Sequence, residues 1–398
     1  MNRAWRFATE HFLAVPVGVV IALIWANAAA ESYFTLSLAL SFAVNNVGMA
    51  LFFALVTQEV IEEMMPGGAL HTWRRAMLPI VAAIGGTIGA IGVYHGYLLL
   101  GDEPVLTSGW PIVCAIDGGV SYFLVRALLG RHRATPFLLF LVIVSDGIGL
   151  VTIGLHQAVA GLHVAAGAAA ILAGLGASVA LARSRRTTLW PHVLISGTLL
   201  WWGFWWSGLH PALALMPIVP FLPRAPRDLN LIADEGPHNS AVHLEHALRI
   251  PVQLVLFLFA LVNAGVQVRG YGTGTWVVLA STMIGRPLGI LGAVGLSVRL
   301  GLRLPSQVGW RELAVVALIT SIGLTFGLFF ATAVFPVGPV LTELKMGALL
   351  TIAGALVATA AAWLLGAGRF GSRTPEPDVS HRSPQLAASS VASGRRGH

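Results

Sequence analysis

The feature that most constrains this chain is a recurrence: runs of about 20 mostly apolar residues, each long enough to cross a bilayer as a helix. Short loops separate these runs and hold nearly all of the charge. On that criterion about twelve spans are predicted, at 10–30, 45–65, 76–100, 111–130, 135–156, 161–182, 189–203, 206–222, 247–268, 274–298, 310–335 and 341–367. Only 10% of the residues are charged, against about 25% in a water-soluble domain. Soluble enzymes, nucleic-acid-binding domains and disordered proteins are therefore disfavoured together. The first apolar run continues from Phe12 to Ala30 without a polar cleavage region, so it is expected to be a span and not a cleaved signal peptide. Cys114 is the only cysteine. It has no partner for an intramolecular disulfide and is expected to be a small apolar filler.

The loops alternate in sign. Of the 24 basic residues, 21 fall in one alternating set of loops and in the tail, among them Arg74 and Arg75, Arg131 and Arg133, and Arg183 to Arg186. The opposite loops hold Glu31, Asp102 and Glu103, with Arg269 and Lys345 near them. Positive loops stay in the cytoplasm, which puts both termini inside. The net charge of +7 then marks topology and contact with anionic lipid, not nucleic acid. Residues 1–370 are expected to form one membrane domain, and 371–398, rich in Ser, Pro, Gly and Arg, a disordered cytoplasmic tail. No cofactor is implied.

Ionisable side chains inside a span cost at least a few kcal/mol and mark function by default. Asp117, Asp146 and Arg286 stand near the centres of their runs. Gly118 and Gly119 follow Asp117 directly and weaken a helix there. A second interrupted run, ITSIGLTFG, carries Gly323 and Gly327, with Thr320, Ser321 and Thr325 as oxygen donors. Two interrupted spans, one in each half, are the pattern of a transporter site. They would be equivalent, as fourth and eleventh spans, if spans three to five and ten to twelve form an inverted repeat. A carboxylate at Asp146 is either ionised beside a partner or protonated, so a hard cation and a proton would compete for it. Arg286 supplies a permanent positive charge. The alternative is a structural buried ion pair.

The blocks LFFALVTQEVIEE, LPIVAAIGG, AIDGGVSYFLV, IVSDGIGL, SGLHPAL, HLEHAL, VNAGV, IGRPLGI and SIGLTFGLFFA resemble, in this order, the bacterial NhaA sodium/proton antiporters. The resemblance covers roughly residues 5–367. It implies an all-α polytopic fold of twelve helices with inverted repeats and two broken, crossed helices in the cytoplasmic (inner) membrane. It also implies alternating access, with Na+, Li+ and H+ as transported ions and Asp117 and Asp146 as ion ligands, and Ser145, beside Asp146, is counted with them as an ion- or proton-binding position. Sodium would be bound only as cargo. Three positions depart from the family. Ser145 stands where the first of two adjacent aspartates is usual, Ile116 where a threonine is usual, and Arg286 where a lysine is usual. Arginine does not deprotonate and serine carries no proton, so both ends of the family's lysine–aspartate pair have changed. Two ionised aspartates and one arginine leave the site at −1, a charge that one sodium ion or one proton neutralises. Exchange closer to one-for-one is expected.

Glu59, Glu63, Glu245 and His246 match the family's cytoplasmic pH-sensing cluster, with Glu62 in place of a basic residue and Arg249 in place of a histidine. Of the four, only histidine titrates near neutrality unperturbed. The short loop near 31–44 lacks the family's hairpin insertion, which leaves a homodimer open. A second reading keeps the fold and changes the substrate, or makes the chain a sensor. An intramembrane enzyme is the third. Against it, His243, Glu245 and His246 do not make the helical H-E-x-x-H pattern, His210 has no assignable partner, and no G-x-S-x-G elbow is present.

Overall fold

The computed structural model describes residues 14–64, 73–101, 103–114, 116–130, 134–156, 163–184, 190–222, 240–304 and 308–370. The chain enters through α1 (Ala14–Ala28) and α2 (Ala30–Phe42), and a π-helical turn at Ala43–Gly48 leads into α3 (Met49–Met64). Then come α4 (Trp73–Gly101) and a 3-10 segment, Pro104–Val113, that stops before α5 (Gly118–Leu129). The next helices are α6 (Ala134–His156), α7 (Val164–Arg183) and α8 (Thr198–Ser207), with short 3-10 turns between Pro211 and Phe221. The second half holds α9 (Ser240–Asn263), α10 (Thr273–Ala280), a π turn at Ser281–Gly285, and α11 (Arg286–Arg299). It ends with α12 (Trp310–Ile319), α13 (Leu324–Val334), α14 (Pro339–Leu350) and α15 (Gly354–Leu365).

The polytopic all-α class stands, but the count of about twelve spans does not. Among the described residues six helices are long and apolar enough to cross a membrane, and eight if each of two bent pairs is one span. Of the expected spans, the run at 206–222 holds only short 3-10 segments, Pro211–Leu213 and Met216–Phe221. Apolar content alone does not report where the backbone stops being helical. A 3-10 segment of six residues rises about 12 Å, short of a hydrocarbon core of about 30 Å. The run at 189–203 is likewise divided between a π turn, His192–Gly197, and the ten-residue α8. An equivalence of spans three to five with ten to twelve loses its basis with the count.

Helices approach closely where small residues meet, as expected in lipid. Gly85 and Gly89 of α4 face Gly285 and Gly289; a Cβ on Gly289 would lie 2.1 Å from the Gly85 carbonyl oxygen. Gly167 of α7 meets Gly203 and Ser207 of α8 in the same way. The end of α9 is clamped by polar pairs: Asn263 donates to Asn45 Oδ1 at 2.8 Å, and the Tyr33 hydroxyl accepts from the Gly265 amide at 2.9 Å. The π turn before α3 leaves the Asn46 carbonyl turned outward, where the Trp201 indole donates to it at 3.1 Å.

The core forms two large clusters. One gathers Phe53, Phe259, Phe329 and Phe330 from α3, α9 and α13. The other gathers Leu138, Leu141, Val316 and Ile319 from α6 and α12. Large apolar side chains such as Ile88, Leu172 and Leu356 point outward, the arrangement of a lipid-facing surface.

Candidate functional site

Two breaks in the backbone meet between these clusters. Pro104–Val113 and α5 are bent by 55° across one, and α12 and α13 by 41° across the other. The Asp117 amide donates to the Ile322 carbonyl at 2.8 Å, so the breaks hold each other through the main chain. Each break frees polar groups that an intact helix would have paired, and side chains take them up.

Asp117 is the N-cap of α5, and its Oδ1 accepts from the Val120 amide at 3.2 Å. Its Oδ2 accepts from the Thr325 amide at 3.2 Å and from the Thr325 hydroxyl at 2.7 Å. One carboxylate thus rests on the N-termini of two helices, α5 and α13, the positive ends of their dipoles. The opposite polarity is met on the other side of the break. Arg286 donates to the Val113 carbonyl and Ser145 to the Cys114 carbonyl, the latter at 3.3 Å. Both carbonyls lie at the C-terminal end of the 3-10 segment. Arg286 is positioned directly after the π turn of the α10–α11 helix and beside the glycine contacts with α4; a Cβ on Gly86 would be 3.4 Å from its Cγ.

Asp146 has no such tether. It lies in the interior of α6, is 6% exposed, and its Oδ1 is buried without a hydrogen-bond partner. It is within electrostatic reach of Glu59, Asp117 and Arg286. The Nε of Arg286 also lacks a hydrogen-bond partner. A cavity of about 480 Å³ is lined by Asp117, Asp146, Thr325 and Tyr122 and reaches Glu59 and Glu62 on α3. Beside it, Gln58 donates to Glu62 at 2.6 Å. Two carboxylates, a hydroxyl and main-chain dipoles around this cavity form an oxygen-rich site of the type that binds a hard monovalent cation or a proton.

The other expected residues divide. Gly118 and Gly119 line the cavity in the first turn of α5. A Cβ on Gly118 would come within 3.0 Å of Val142 and 3.7 Å of Asp146 Oδ2. Gly323 is the N-cap of α13, whereas Gly327 lies within that helix against Ala348. The Thr320 and Ser321 hydroxyls donate to the Ala317 and Leu318 carbonyls of their own helix, each at 2.7 Å. Thr325 is the hydroxyl residue of that segment that reaches an aspartate. Ile116 is buried in the second core cluster. His210 accepts from the Ala212 amide at 3.2 Å and packs its ring 5.1 Å from that of Phe329. Glu63, Glu245 and His246 have side chains outside the described ones. The carbonyls of Val113 and Cys114 had no sequence signal, since nothing in a residue's identity shows which carbonyls a break will free.

The profile of the family described as Na+/H+ antiporter 1 matches residues 9–365. The chain is 38% identical over 381 residues to "Na(+)/H(+) antiporter NhaA 1" of Pelobacter propionicus, an alignment covering 93% of this chain and 100% of that protein. It is 36% identical over 362 residues to "Na(+)/H(+) antiporter NhaA" of Geobacter metallireducens, covering 88% of this chain and 95% of that protein. Among solved structures it is similar to the sodium proton antiporter MjNhaP1 from Methanocaldococcus jannaschii at pH 8. There the TM-score is 0.55 at 15% identity, over 92% of this chain and 95% of that one. This is a likeness of fold.

Proposed function

Because the chain belongs to the Na+/H+ antiporter 1 family, whose members are transporters and not enzymes, we propose that it extrudes Na+ or Li+ in exchange for external protons at a site formed by Asp117 and Asp146. Secondary-active cation/proton antiport and a multi-pass place in the bacterial inner membrane follow from membership itself. The rest is our reading, and one observation carries it: Asp117 is tied by three hydrogen bonds, whereas Asp146, which lines the same cavity, has a buried oxygen without a hydrogen bond.

In this reading Asp117 is the fixed anion and Asp146 the exchanging one. Arg74 and Arg75, in the stretch that follows α3, mark that end of α3 as cytoplasmic on the positive-inside rule, so the cavity, reaching Glu59 and Glu62 near the end of α3, faces inward. Sodium entering it displaces the proton of Asp146 and is held by both carboxylates, with the Thr325 hydroxyl as a neutral oxygen. Only the neutralised site changes access. Proton and sodium therefore cross in opposite directions without a shared step. Glu59, lining the cavity, is the described residue of the expected pH-sensing group placed to influence loading. Arg286 keeps its charge throughout, and exchange is close to one-for-one.

The test uses everted membrane vesicles carrying a respiration-driven pH gradient. Added sodium should dissipate the gradient, and an imposed membrane potential should leave the rate unchanged. Strong acceleration by the potential would sink the one-for-one exchange. No response to sodium or lithium between about pH 6 and 9, a range spanning histidine titration, would favour the second reading, in which the fold serves another solute.

A further inference from the structure

Among the groups around the two breaks is a buried hydroxyl from another helix pair that the mechanism above does not use. Thr351 is fully buried where α14 ends, in the 3-10 turn Thr351–Ala353 that leads to α15. Its Oγ1 donates to the Ala348 carbonyl at 2.6 Å, and its remaining lone pairs face the Gly323 amide, which donates to it at 3.2 Å. Gly323 is the N-cap of α13, at the break itself. In an apolar interior an unpaired amide is strongly disfavoured, and a backbone this irregular keeps one conformation only where its polar groups are held.

The contact continues into the site through consecutive residues. Ile322, next to Gly323, accepts the Asp117 amide, and Thr325, two residues on, holds the Asp117 carboxylate. The same stretch of the last span supports the break sterically. A Cβ on Gly354 would come within 3.3 Å of Ile322 and 3.4 Å of Ser321, and one on Gly327 within 2.9 Å of Ala348. Residues 348–354 therefore form a seat for residues 321–327, with Thr351 as its polar contact.

We propose that Thr351 is a positioning residue for the cation site: through the Gly323 amide its hydroxyl sets the second break in register with Asp117. The proposal rests on the reading that Asp117 binds the cation. It assigns the last span a role in affinity although that span supplies no ligand.

Three substitutions separate hydroxyl from packing. Thr351→Val keeps the shape and removes the acceptor, Thr351→Ser keeps the acceptor and removes a methyl, and Thr351→Cys leaves a weak acceptor. Sodium-dependent proton movement is measured in everted vesicles, normalised to the protein in the membrane, as apparent KM and maximal rate across pH. The expected order of KM is wild type and Thr351→Ser lowest, Thr351→Cys intermediate and Thr351→Val about tenfold higher. Maximal rate should change less, and the pH at half-maximal activity should move with KM. A Thr351→Val variant with wild-type KM and pH profile, or a Thr351→Ser variant impaired as much as Thr351→Val, overturns the proposal. If Thr351→Val fails to reach the membrane, Thr351→Cys against Thr351→Ser decides by the same order. Asp117→Asn is run beside them. If it leaves sodium flux intact, the reading of the site fails; if it removes flux while Thr351→Val behaves as wild type, only the role of Thr351 fails.

Discussion

Asp117 and Asp146 face one cavity from neighbouring helices, yet the chain surrounds their carboxylates in opposite ways. Asp117 stands at a break, where two helix N-termini present amides with no partner of their own, and it accepts from Val120 and Thr325. Asp146 stands within a continuous helix, where the nearby amides are already spent in the i to i−4 ladder. Its Oδ1 is left without a hydrogen bond. The difference teaches a division of labour. A broken helix can supply permanent partners to an anion, and an intact one cannot, which is the contrast on which the proposed exchange at Asp146 rests.

The sharpest way to break the comparison is to neutralise the untied member. Asp146→Asn should lower sodium-dependent proton movement in everted vesicles about a hundredfold or more, with the protein still present in the membrane. Next is the group that meets the opposite polarity. Arg286→Met leaves the Val113 carbonyl without its donor and removes a buried positive charge. It should cost about 3–5 kcal/mol, seen as a lower unfolding temperature of the detergent-solubilised protein. Thr325→Val removes the hydroxyl contact with Asp117 and keeps the amide contact. Apparent sodium affinity should fall about tenfold, the worth of one charge-assisted hydrogen bond. Ser145→Ala should do least. It loses one 3.3 Å bond to the Cys114 carbonyl, for about 1 kcal/mol of stability at most, and sodium flux should stay near wild type. A large loss of flux in Ser145→Ala would move Ser145 from the backbone-holding group into the ion site.

Much of this was legible in the sequence, for identifiable reasons. Asp117, Asp146 and Arg286 stand out because charge is costly in an apolar run. The breaks stand out because Gly118 and Gly323 weaken helices beside polar residues. The number of spans was not legible. The apolar run at 206–222 reads as a span, but it holds a series of short 3-10 turns. Which hydroxyl serves the site was equally hidden. Thr320, Ser321 and Thr325 lie within six residues, and only the fold shows that the first two back-bond to their own helix. The bond from Thr325 to Asp117 joins residues 208 positions apart, and Thr351 reaches Gly323 across 28. Such contacts are set by how the spans pack, which local pattern does not encode.

The central claim, that a cation and a proton compete for Asp146 while Asp117 stays fixed, is tested most directly by proton release. Sodium is added to the purified protein in weakly buffered detergent, and the change in pH is recorded for the wild type and for Asp146→Asn. The account predicts release of about one proton for each sodium ion bound, and none from Asp146→Asn. Sodium binding without proton release by the wild type, or undiminished release from Asp146→Asn, would contradict it.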